Sequence, residues 1–205
     1  MAMKNTGAPQ PPLFPVGPFT VEGAPEGDLR EASIDTIEKA PFLLRAAVAG
    51  LSDNELDTTY RNWTIRQIIH HLADAQLNAY VRFRLALTEN RPTIKTWDEN
   101  RWSVLADAQR ADIELSLRLL EGLHARWTYL LRSLAPEAFE RVFHHPTAVA
   151  QRLYGYTPED LGRDTQDVVP LWRMLAYMAW HPRHHTAQIV WVKQHKLRTS
   201  GLLRL

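Results

Sequence analysis

The chain has 205 residues, with 24 Lys and Arg against 23 Asp and Glu, so its formal net charge is +1. That balance gives no electrostatic footprint for nucleic acid or an anionic membrane. An apolar share of 45% supplies the core of a single domain, and the absence of cysteine excludes disulfides, thiolate metal ligands and a cysteine nucleophile.

The first seven residues lack the apolar core of a signal peptide, and no stretch approaches the roughly 18 uncharged apolar residues of a membrane span. A cytoplasmic protein is expected. Six prolines, Pro9, Pro11, Pro12, Pro15, Pro18 and Pro25, crowd the region before residue 26. Proline fixes φ and lacks the amide hydrogen, so residues 1–27 form an arm that is neither helix nor central strand. Leu13, Phe14, Val16 and Phe19 favour an arm laid across the surface over a disordered one. Residues 28–205 are assigned to one domain.

Helical periodicity begins at Asp28 and continues to Gly50 through Leu29, Ile34, Ile37, Phe42, Leu44 and Val48, with Pro41 set to kink or split the helix. Ser52 and Glu55 read as a capping box for a short helical turn. Thr64 and Gln67 form a second box that opens a long helix, striped by Ile65, Ile68, Ile69, Leu72, Ala75, Ala79, Phe83 and Ala86 and ending near Thr88. Residues 91–110 read as an irregular connection with Trp97, Trp102 and one short helix. A third long helix spans 112–133, carrying Leu117, Leu120, Leu123, Trp127 and Leu131. A long connection, 134–169, precedes a fourth helix from Pro170 to about His195. No alternating strand pattern stands out, so the fold class expected is all-α, a four-helix bundle.

Five of the nine histidines lie in two clusters on these helices. His181 and His185 are four residues apart, hence one turn apart on one helix face, a spacing that lets two imidazoles reach one cation. His184 points about a hundred degrees away from His185. The third ligand would come from a facing helix, where His70 and His71 both flank the apolar stripe and periodicity does not choose between them. Asp74, three residues from His71, suits an acidic ligand, a partner holding a histidine tautomer, or a general base. His124 and Trp127 read as core or cavity lining, His144-His145-Pro146 as loop or site rim, and the seven tryptophans mainly as core. Nucleophile elbows, phosphate-binding glycine loops and the His-Glu-x-x-His pattern are absent from the sequence.

Two segments, WTIRQIIHHLAD at 63–74 and AWHPRHHTAQI at 179–189, resemble the DinB superfamily, in particular its YfiT-like branch. RFRLALTE at 82–89, LLEGLHARW at 119–127, FHHP at 143–146 and FPVG at 14–17 agree with it. The resemblance implies a four-helix bundle, usually a homodimer, with one zinc or nickel ion per chain on three histidines. It takes the second histidine of the pair, so the implied ligands are His71, His181 and His185. The implied activity is that of a metal-dependent hydrolase, or of a transferase moving a low-molecular-weight thiol onto a small electrophile. Two departures stand out: Pro182 lies between the ligands where relatives have a small residue, and Gln188 replaces a frequent histidine. The segment 148–169 also looks longer than in relatives, as an insertion beside the site. The competing expectation is a non-catalytic, metal-stabilised bundle that binds a ligand or partner. Its mark would be Asp74 or Gln188 closing the coordination shell.

Overall fold

The computed structural model describes residues 9–20, 27–146 and 168–197. Four long helices dominate it: α1 (Asp28–Val48), α3 (Ile65–Thr88), α6 (Ile113–Ser133) and α7 (Leu171–Val192), the last running on into a π-helical turn, Lys193–Leu197. Between α1 and α3 lie a single turn of helix, α2 (Asp53–Leu56), and a tight hairpin of β1 (Thr59–Tyr60) and β2 (Trp63–Thr64). Two short helices, α4 (Glu99–Ser103) and α5 (Ala106–Arg110), bridge α3 to α6 where one was expected. A 3-10 turn (Pro136–Glu140) follows α6, and β3 (Val142–His144) pairs antiparallel with β4 (Val168–Pro170). Among the described residues the two ribbons are an addition to the all-helical expectation. Each is too short for a period of two to register in the sequence.

Helix ends follow local chemistry. Thr64 Oγ1 accepts from the amide of Gln67 at 3.1 Å while Gln67 Oε1 accepts from the amide of Thr64 at 2.9 Å, so the expected box opens α3. The Asp112 carboxylate caps α6 by accepting from the amide of Glu114 at 2.9 Å. Pro41 lies inside α1 without splitting it. Its ring removes the amide hydrogen that would bond the carbonyl of Ile37, four residues back. His124 of α6 supplies the substitute donor, Nδ1 donating to Ile37 O at 2.6 Å from a buried position.

Side-chain pairs show how the helices run. His70 meets Ser116 and Phe83 meets Trp127, so α3 and α6 are parallel. Lys193, just past α7, bonds the carbonyl of Ala47 near the end of α1, so that pair is parallel too. Arg45 pairs with Glu114 whereas Arg132 reaches Glu31, which sets α1 antiparallel to α6. The bundle therefore runs up, down, down, up. The connection 89–112 must return along its whole length, carrying α4 and α5 past the start of α3. Two apolar clusters fill the interior, one around Phe83, Trp127, Phe143 and Leu175, the other around Ile65, Ile68, Leu117 and Ile189. Among the described residues no helix is long and apolar enough to cross a membrane.

Candidate metal centre

Where α3 faces α7, His71, His181 and His185 converge, all three buried. Nε2 of His181 stands 3.4 Å from Nε2 of His71 and 3.1 Å from Nε2 of His185. One ligand atom from each lies within 4.8 Å of the others. Nitrogens 2.0–2.1 Å from a tetrahedral ion stand roughly 3.4 Å apart, so the set has the spacing of metal ligands. Pro182 does not spoil it, since α7 continues through the proline with its two histidines aligned.

The surroundings hold His185 neutral and correctly turned. Burial first, and then the neighbouring His71, pushes His185 down to about 3. The ring is thus unprotonated at neutral pH, as ligation requires. Gln188 decides which of its nitrogens carries the hydrogen: Nδ1 of His185 donates to Gln188 Oε1 at 2.7 Å, leaving the Nε2 lone pair for the cluster. The amide's other end donates to Nε2 of His184 at 2.8 Å. Gln188 therefore orients one histidine of the cluster and does not join it. Its spacing, three residues from His185 and four from His184, puts it on their helix face and was the signal available in the sequence. Truncating it in Gln188→Leu is expected to weaken metal affinity about 10–100-fold with the fold retained. Competition against a chelator of known affinity measures this, and an unchanged affinity would rule the role out.

Aromatic rings pack the centre. His71 sits 4.6 Å from Trp63 and 5.7 Å from Trp97, ring centre to centre, and Tyr177 stacks on His181 at 5.5 Å. His184 points away from the cluster, as its angle on the helix requires, and stacks on Trp180 at 4.6 Å. The tryptophans are thus divided: Trp127 is core, whereas Trp63, Trp97 and Trp180 serve the site. A cavity of about 660 Å³ opens from the three histidines. One wall comes from the N-terminal arm, through Gln10, Pro11, Leu13 and Phe14. The arm is laid across the surface, as its apolar residues indicated: Phe19 is buried, Tyr60 donates to the Pro12 carbonyl, and Trp180 Nε1 donates to the Gly17 carbonyl at 3.1 Å.

Asp74 is half-buried and outside the cavity lining. Desolvation, and secondarily Asp107, raises its carboxyl to about 6. His70 is turned from the site, with Nδ1 2.7 Å from Ser116 Oγ and Nε2 3.3 Å from the Ala111 carbonyl. His144 lies in β3, where its backbone amide and carbonyl pair with Pro92 and Ile94, and it does not line the cavity. The expected insertion at 148–169 lies outside the described residues except for Val168 and Val169.

YfiT of Bacillus subtilis, described as "Putative metal-dependent hydrolase YfiT", is 39% identical over 178 residues, 86% of this chain and 90% of its own. A relative in Geobacillus thermodenitrificans, described as "Putative metal-dependent hydrolase", is 39% identical over 188 residues, 91% of this chain and 96% of its own. The solved structure of Bacillus subtilis YfiT, described as a probable metal-dependent hydrolase with an unusual four-helix bundle topology, matches with a TM-score of 0.78. It is 36% identical and covers 91% of this chain and 97% of that one. The DinB superfamily profile matches residues 36–189. The chain belongs to the DinB superfamily and to its YfiT-like members.

Proposed function

We propose that this chain is a metal-dependent enzyme. In this reading it holds one zinc or nickel ion on Nε2 of His71, His181 and His185, and readies a low-molecular-weight thiol or water for attack on a small electrophile. The observation that carries the reading is the convergence of three buried imidazole nitrogens at the base of a cavity of about 660 Å³. A divalent ion held by three imidazoles keeps one position open, where a thiol or water loses its proton near neutral pH.

The chain's own residues supply the rest. Gln188 turns His185 toward the ion, and Trp63 and Tyr177 pack against the ligand rings and shield them from solvent. With no cysteine in the sequence, a thiol nucleophile has to enter as a cosubstrate such as bacillithiol, mycothiol or glutathione. Asp74, outside the lining, takes the part of a supporting or proton-accepting group on α3, not of a ligand. Neither Asp74 nor Gln188 closes the cluster, which favours an open catalytic site over a structural one. A cytoplasmic homodimer completes the proposal. Leu43 and Val190, exposed beside a shallow groove between α1 and α7, supply apolar surface for pairing.

The test is to incubate metal-loaded protein and an activated aryl halide with each thiol, and then without thiol. Ion-dependent thioether formation identifies a transferase, and ion-dependent hydrolysis without thiol identifies a hydrolase. Neither product with a range of electrophiles would leave the metal-stabilised binding protein as the better account.

A further inference from the structure

The β1–β2 hairpin turns through two residues, Arg61 and Asn62, because Tyr60 is paired with Trp63. Arg61 has a φ of 51°, in the left-handed region. The first turn position of such a hairpin favours glycine when φ is positive, since a side chain there crowds its own backbone. Arginine at this position is strained, and strained residues gather where a site needs a side chain held in one place. Here that place is the mouth of the histidine cavity, which Arg61 lines together with Asn62.

Among the described residues Arg61 engages one of its five N–H donors, Nη1 donating to the Pro11 carbonyl of the arm at 3.0 Å. That bond fastens the guanidinium against the cavity wall and leaves the other donors for a ligand. Glu99 also lines the mouth. Apart from the histidines the described residues of the lining carry one cation and one anion, so a divalent ion on the histidines would make the whole positive. Leu13, Phe14 and Trp180 give the same cavity apolar walls.

Resting on the reading of this cavity as the substrate site, we infer that Arg61 binds a carboxylate or similar planar anion on the substrate, whose apolar body lies against the arm. The substrate class is a small organic anion with an apolar body, and the guanidinium fork is the group that selects it.

Benzoate, with benzyl alcohol as its neutral match, tests this by tryptophan fluorescence titration of metal-free and zinc-loaded protein. Benzoate is expected to bind wild type about tenfold or more tightly than Arg61→Gln in both forms, the scale of a lost charge-assisted hydrogen bond, while benzyl alcohol binds both proteins equally. Arg61→Gly, which accepts the turn without strain, is expected to melt no lower than wild type yet to bind benzoate as poorly as Arg61→Gln. Equal benzoate binding by wild type and Arg61→Gln overturns the inference, and so does no benzoate binding at all. Parallel loss of benzyl alcohol in Arg61→Gln also overturns it, by making Arg61 only a clamp on the arm. Metal content of the same samples is read separately. A chain that takes up no zinc on loading yet binds benzoate through Arg61 defeats the metal reading alone, and a zinc-bound chain indifferent to Arg61 defeats this one alone.

Discussion

His181→Ala is expected to lose the bound ion while keeping its helices. Elemental analysis of wild type after reconstitution with zinc or nickel should give about one ion per chain, and the variant close to none. His181 is the central histidine of the cluster, its Nε2 lying 3.4 Å from that of His71 and 3.1 Å from that of His185. Losing it leaves two donors on different helices. That should cost more than the roughly 10–100-fold typical of a supporting residue. The fold should survive, because the two apolar clusters are built from residues outside the ligand set. An ion present at a thousand times its Kd adds about 4 kcal/mol to stability. For a chain of this size that is roughly 10 °C in Tm. A chelator should therefore lower the melting temperature of wild type and leave that of His181→Ala unmoved. Wild type that takes up neither metal would end the enzyme proposal, and a variant that kept its ion would place the site elsewhere.

The second large effect is acid sensitivity seated at His124. This ring is 1% exposed, and burial pushes its pKa down to about 4, with the Ile37 carbonyl opposing the shift. Unfolded, it titrates near its ordinary value of 6.5. Between those two values the unfolded chain binds the proton and the folded chain does not, so stability rises with pH across this window. The contribution is complete above about 6.5 and is lost as pH falls toward 4, and the two values make it worth about 3 kcal/mol. His124→Leu removes the titration, and also removes the donor that replaces the Pro41 amide, leaving the Ile37 carbonyl unpaired at a cost of about 2 kcal/mol. The variant should therefore be the less stable protein at pH 7, draw level at about pH 5 and be the more stable one as the pH approaches 4. Urea unfolding of metal-free samples across that range measures both slopes. Parallel curves would show that His124 is not the acid-sensitive group.

Much of the bundle was legible because helix signals are local. The Thr64–Gln67 box, the stripe from Ile65 to Ala86 and the Asp112 start all involve residues within a turn or two of one another, and each matches the structure. The pair His181 and His185 was legible for the same reason, since four residues along a helix bring two side chains to one face. The choice of His71 over His70 was not. Both are buried, and the family resemblance, not periodicity, pointed to the one that meets α7.

By itself, then, the sequence determined the four helices, the capping box of α3 and the two histidines that share a helix face, because those depend on a fixed rise and rotation per residue. Tertiary structure alone decided the remainder. The up-down-down-up order sends the second connection back along the bundle and sets Trp97 on His71, although no local pattern records which way a loop returns. The same packing gave His124 the carbonyl freed by Pro41 and the proline-rich arm its place as a cavity wall. Each of these depends on which group lies opposite across a helix interface, often a hundred residues away in sequence, and only the closed packing of the core sets that distance.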